Sequence, residues 1–277
     1  VGETTFIGNC NLMVEGIADQ VLLAGAATYL RSRGASELET LDLNQITIVP
    51  AGSASHIPYL VYLARGRDIE RPAVIVLLDS DKAGNDAKKE LLRGGPKRKL
   101  LLKEDFILQL GDLDRSAALD QPTPSSLWME IEDLIPLEIC AHAARAYLTE
   151  ICGADTDTAM LLTDTVIREA LTAGGSTFDA IETCFVNLSD EGWHIEKVGF
   201  ARLVIEAVHE LAAQPDLASQ NGSSSLSTFE SNMRLLFRKL RRMQRDAERE
   251  LSGDRVYRRV ERAQNSFLRD PPVAPRR

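Results

Sequence analysis

From residue 11 to about residue 112, short apolar runs alternate with amphipathic stretches, the pattern of βα units around a parallel sheet. Four runs are predicted as strands: Leu12-Met13-Val14, Ile46-Thr47-Ile48-Val49, Val74-Ile75-Val76-Leu77-Leu78 and Phe106-Ile107-Leu108-Gln109-Leu110. Helices are predicted between them over 18–33, 55–65 and 85–92, the last closed by Gly94-Gly95-Pro96. The expected fold class is α/β, a doubly wound parallel sheet with an additional helical domain. That addition follows because β-type runs fade after Leu137, while Ala, Leu, Thr and Glu recur at helical spacing over 141–147, 159–171 and 198–211.

The segment 214–228, with Pro215 and Asn221-Gly222-Ser223-Ser224-Ser225, reads as a linker or disordered loop. After it, Phe229, Met233, Leu236, Leu240, Met243, Ala247 and Leu251 step by three or four, which predicts a long helix with an apolar stripe and an arginine-rich face. Ser252-Gly253-Asp254 is predicted to interrupt it, with a further helical piece before Pro271. The expected parts are therefore 1–136, 137–213, 214–228 and 229–277, without an internal repeat.

A chain of 277 residues with 44% hydrophobic and 26% charged positions buries a substantial core. It has neither an uninterrupted apolar run of membrane-spanning length nor a signal peptide, so a soluble, cytoplasmic protein is expected. Its start at Val1 reads as a piece of a longer protein. Cys10, Cys140, Cys152 and Cys184 show no metal-ligand spacing and are expected as buried thiols. The net charge of −9 argues against a polyanionic partner, but it hides an asymmetry. Arg234, Arg238, Arg241, Arg242, Arg245, Arg249 and several later arginines crowd the last stretch, which suits contact with nucleic acid, although a packing or dimerisation helix with a solvated basic face is the slightly better reading.

Candidate chemistry lies at predicted strand ends. Glu15 follows the first strand, with Asp19 four residues on, and Asp79-Ser80-Asp81 follows the third. Ligands gather at the carboxyl ends of parallel strands, and period two lets Asp79 and Asp81 point to one side. Carboxylates in this arrangement suit hard cations such as Mg²⁺, and the spacing is uninformative for zinc. The plainer reading makes Glu15 and Asp19 helix N-terminal acids and Asp79 and Asp81 turn residues. His56, after Gly52-Ser53-Ala54-Ser55, is expected as part of a serine-capped helix start, and Trp128 and Trp193 as packing residues.

The ordered set Glu15, Asp19, Asp79 and Asp81, followed by Ile48-Val49-Pro50-Ala51-Gly52 on the second strand, resembles the Toprim domain, most closely that of OLD-family (overcoming lysogenisation defect) nucleases. The resemblance covers roughly residues 8–136. It implies a later acidic strand-end motif at Glu130-Ile131-Glu132-Asp133-Leu134, in which Glu132 is the better second-metal ligand, Glu130 a further candidate, and Asp133 points away. It also implies a catalytic lysine at Lys197, for which a surface lysine near a helix start is almost as good a reading. The implied activity is two-metal hydrolysis of DNA phosphodiesters, with Glu15, Asp79 and Lys197 catalytic and Glu15, Asp19, Asp79, Asp81, Glu130 and Glu132 holding two Mg²⁺ or Mn²⁺ ions. OLD-family proteins carry an ABC-type ATPase ahead of this region, but no G-x-x-x-x-G-K-S/T loop occurs here, so an ATPase partner domain is expected elsewhere and a homo-oligomer is possible. The rival is a non-catalytic Toprim module that binds DNA or protein. Tyr59, Tyr62 and Tyr147 have no context that would make them topoisomerase nucleophiles.

Overall fold

A computed structural model describes residues 9–66, 72–93, 100–113, 128–171, 175–188, 192–213 and 222–269, with side chains in the last segment from 225 to 253. Four strands form one parallel sheet: β1 (Cys10–Val14), β2 (Ile46–Pro50), β3 (Ala73–Leu78) and β4 (Ile107–Gln109), in the order β2-β1-β3-β4. All residues of β1 and β3 are buried, which is why these two central strands read as continuous apolar runs and not as alternating ones. Register pairs Cys10 with both Ile46 and Ala73, so β1 lies between β2 and β3.

The connecting helices are α1 (Ile17–Ser32), α2 (Ile57–Arg65) and α3 (Lys82–Arg93). Since β1 connects toward β2 and β3 toward β4, right-handed crossovers put α1 on one face of the sheet and α2 with α3 on the other. Helix α3 begins three residues before the predicted start, because Asp81 caps it: its Oδ1 accepts a 2.7 Å hydrogen bond from the Gly84 N–H. The Gly-Gly-Pro expected to close α3 lies outside the described residues.

Beyond the sheet come α4 (Leu137–Glu150), α5 (Thr156–Met160), α6 (Asp164–Ala170), α7 (Thr177–Leu188), α8 (Lys197–Ala213) and α9 (Gly222–Arg269). Helix α8 packs on α1 and α4, closely enough that a Cβ at Gly25 of α1 would lie 2.5 Å from Ile205 Cγ1. Helix α9 lies against β3, with Phe229, Met233, Leu236, Leu240, Met243 and Ala247 all buried, as their spacing predicts. The hydrophobic core is accordingly continuous from the sheet through α8 and α9.

Two boundaries depart from the sequence reading. The expected linker 214–228 is helical from Gly222 onward, and Ser225 is already buried, so burial of the helix start overrides the low propensity of the serines. Ser252-Gly253-Asp254 does not interrupt α9, in which the Ser252 hydroxyl donates back to the Glu248 carbonyl at 2.9 Å. Helix α7 falls in a segment where no element was expected. Three of the four cysteines are buried, Cys152 only partly. No helix among the described residues is long and apolar enough to cross a membrane.

Candidate functional site

Strands β1 and β3 are neighbours whose chains leave the sheet in opposite directions, which opens a crevice beyond their carboxyl ends. Glu15 follows β1 and Asp79 follows β3. The Glu15 Oε1 accepts a 2.9 Å hydrogen bond from the Asp79 N–H, so this side chain closes the gap between the strand ends. Asp19 stands at the third position of α1 and accepts from the Gly16 N–H at 2.8 Å. Asp19 and Asp81 each accept a backbone hydrogen bond at a helix start, from the Gly16 and Gly84 N–H groups, and both act to raise the Glu15 carboxyl.

The second acidic stretch reaches the same place through the backbone. The Ser80 N–H donates to the Met129 carbonyl at 2.8 Å, hanging residues 129–134 on the end of β3. This stretch is not the strand-end motif that was expected. Residues Ile131–Leu134 form a 3₁₀ turn, so period two does not apply to Glu130 and Glu132. The turn exists because Asp133 braces it, its Oδ2 accepting from the Met129 and Glu130 N–H groups at 2.7 and 3.0 Å. Its Oδ1 accepts from Thr177 N–H at 2.7 Å at the start of α7, so Asp133 does point away from the crevice and fixes the turn to the helical layer.

Glu132 is 1% exposed, and its Oε1 has no hydrogen-bond partner. Glu130 instead pairs with Lys197, whose Nζ lies 2.8 Å from Glu130 Oε2 and 5.1 Å from the centre of the Phe178 ring. Lys197 is the first residue of α8, where the helix dipole disfavours a cation. Its placement is therefore set by the acids and not by the needs of the helix. With the side chain 40% exposed, it is neither a free surface lysine nor fully enclosed.

The charges feel one another strongly. Burial, then repulsion from Glu15, Asp19, Glu132 and Glu130, pushes the Asp79 carboxyl up to about 10. No donor among the described residues reaches that carboxylate. Burial raises Glu132 to about 8 against the attraction of Lys197, and raises Glu15 to about 7 against the Asp79 N–H. Asp19 is raised by burial too. For Lys197 burial acts downward, but Glu132, Glu130 and Asp79 outweigh it and hold the ammonium more firmly protonated than usual.

The donor chemistry fits hard divalent cations, because the set is all oxygen and includes a buried carboxylate oxygen with no partner. Yet among the described residues no three His, Cys, Asp or Glu side chains stand as a preformed metal cage. The carboxylates take other partners: Glu15 accepts from the Asp79 N–H, Asp19 from the Gly16 N–H, Asp81 from the Gly84 N–H, and Glu130 accepts from the Lys197 ammonium.

Several contributors escaped the sequence reading. Gly84 packs against β3's end so tightly that a Cβ would lie 2.2 Å from the Asp79 carbonyl oxygen. Gln109 Nε2 donates to that same oxygen at 3.4 Å and to Asn85 Oδ1 at 3.2 Å, and Asn85 donates to the Asp81 carbonyl at 2.6 Å. A D-x-D followed three residues later by Gly was the available signal for Gly84; Gln109 and Asp133 had none. The remaining expectations fall to structure. Trp128 is buried, Trp193 half-buried, and Tyr147 is buried with its hydroxyl accepting from the Glu196 N–H at 3.2 Å. No serine side chain caps the turn before α2; His56 folds back instead, with Nδ1 3.3 Å from the Ala51 carbonyl.

The fold and this crevice define a class: an α/β protein with an all-parallel four-stranded sheet and a crowded acidic centre at its topological switch point. Comparison with protein-family models, with curated proteins and with solved structures gives no match to the chain.

Proposed function

We propose that this chain is a divalent-metal-dependent endonuclease that hydrolyses DNA phosphodiesters at a Toprim-type centre, the nuclease part of an OLD-like protein. The observation that carries the reading is the crowding of Glu15, Asp79 and the unpartnered Glu132 at the switch point, an arrangement that costs stability unless a cation joins it. Glu15, Asp19, Asp79 and Asp81 would hold one ion, and Glu130 and Glu132 would complete the site for a second. Bound Mg²⁺ or Mn²⁺ would supply an activated water and offset charge on the phosphoryl oxygens. Lys197 stays protonated beside Glu130, and its ammonium would offset negative charge developing on the phosphate. Asp133 and Gly84 keep the two acidic segments in register behind the reacting groups.

A non-catalytic binding module is the second reading, favoured by the absence of a preset metal cage among the described residues. Incubation of supercoiled plasmid with the chain and Mn²⁺ or Mg²⁺, against the same mixture with EDTA, separates them. Nicked or linear product that disappears with EDTA is the expected result. Tight plasmid binding with no product under any divalent ion assigns the chain to the binding class.

A further inference from the structure

Helix α9 and the segment that follows α1 enclose a groove. One wall carries Arg238, Arg242, Arg245 and Arg249, and the other carries Leu38 and Glu39. The arginines recur at intervals of four, three and four residues, which sets them in one line along α9, spanning about 16 Å at 1.5 Å rise per residue. Opposed to these four cations are two acids, Glu39 and Asp246, so the groove carries a net +2 in a chain whose formal charge is −9.

The two acids are also already engaged. Glu39 pairs with Arg238 and, at 3.0 Å, with Arg234 from behind the groove, and these partners hold its carboxyl below its ordinary range. Asp246 pairs with Arg249 at 3.2 Å. Arg242 and Arg245 are exposed and have no ion pair among the described residues. Arg241 of the same helix is by contrast buried and engaged, donating to the Glu37 carbonyl and to Gln244.

We infer that this groove is a second contact for the sugar-phosphate backbone of duplex DNA, with Arg242 and Arg245 as its free phosphate-binding groups. A planar guanidinium suits phosphate oxygens, and DNA is the polyanion whose charge spacing continues along such a line. The inference rests on the DNA substrate proposed above and extends it to a position away from the chemistry. Helix α1 runs from the acidic crevice to the groove, and its 16 residues cover about 24 Å. One duplex that reaches both places therefore covers at least about seven base pairs at 3.4 Å per step.

The test is DNA binding by the 277-residue chain in EDTA, where nothing is cut, using a 30-bp duplex and the double variant R242E/R245E. The neutral double variant R242Q/R245Q is measured beside it, with thermal melting as the check on folding. For the 30-bp duplex the charge-reversed variant is expected to bind roughly tenfold or more weakly, with its log-log salt slope reduced by about 1.8, the loss of two phosphate contacts. The neutral double variant is expected to lose salt slope by about the same amount. Unchanged affinity and salt slope in a folded variant overturn the inference. So does a loss of binding confined to a poly-glutamate competitor, which assigns the groove to an acidic protein surface. Plasmid cleavage by the unaltered chain with Mn²⁺ reports separately on the acidic centre. Stripe-dependent binding without cleavage leaves the groove standing and removes the nuclease, and cleavage with stripe-independent binding does the reverse.

Discussion

The Glu15 carboxylate takes the backbone N–H of Asp79 at 2.9 Å, which ties together the ends of the two central strands where their connections diverge. The same contact places one carboxyl beside the other in a half-buried crevice, where Glu15 raises the Asp79 carboxyl while the Asp79 N–H works to lower that of Glu15 against burial. Structural closure and electrostatic strain thus come from a single side chain.

Asp79→Asn is expected to abolish divalent-dependent cleavage while raising the melting temperature in EDTA. The amide keeps the shape and removes the carboxyl of the cluster that most strongly requires a proton to be taken up on folding. Plasmid cleavage and differential scanning calorimetry on the same preparation check both halves. A variant that cuts at the original rate sinks the metal-centre reading.

The raised carboxyls make metal-free stability fall with pH. Glu15, Glu132 and Asp79 have folded values of about 7, 8 and 10, against roughly 4 in an unfolded chain. The folded state therefore holds protons that the unfolded state releases. Their contribution is fully present below about pH 4 and is lost as pH rises through the folded values. In EDTA the melting temperature is expected to drop between pH 5 and pH 9, more steeply than in Asp79→Asn, and Mn²⁺ is expected to restore it at pH 8. Identical pH slopes in the two proteins would falsify this account of the cluster.

Lys197→Ala is expected to lower the single-turnover cleavage rate by about 10²–10³, the usual cost of one preorganised electrostatic partner. Mn²⁺ affinity is expected to stay the same or to tighten, since Glu130 loses its 2.8 Å competitor for a cation. Lys197→Arg is expected to restore little, because a planar fork replaces a compact ammonium. Near-original cleavage by the alanine variant reduces Lys197 to an ion-pair partner of Glu130.

Gly84→Ala drives a methyl group to 2.2 Å from the Asp79 carbonyl oxygen, and α3 has to move off the strand end to admit it. Overpacking of this kind costs about 1–3 kcal/mol. A lower denaturation midpoint is expected together with weaker Mn²⁺ binding, because Asp81 caps α3 at the same spot. Gly253→Ala, in α9 with nothing within 4 Å of the added methyl, is the contrast and is expected to stabilise by about 0.4–1 kcal/mol. Equal midpoints for the two variants would show that the strand end tolerates the displacement.

The amino-acid sequence by itself determined the sheet and the first half of the crevice. Val74 to Leu78 could be read as a central strand because both its faces are buried, and Glu15 and Asp79 could be placed because a residue after a parallel strand has only the carboxyl edge to occupy. The apolar stripe of α9 was legible for the same reason: a helix facing one core repeats with one period. What the stripe covers was not, since contact with β3 joins positions more than 150 residues apart in the chain. Only the tertiary structure made Ile131–Leu134 a 3₁₀ turn, through an Asp133 that binds Thr177 far downstream. It alone brought Lys197 to Glu130 and left Glu132 buried beside them. It also sorted the arginines of α9 into those tied to Glu37 and Glu39 and those left facing solvent. Periodicity reports which side of an element meets a core, whereas the partner a charge meets depends on packing between distant segments, which local pattern does not encode.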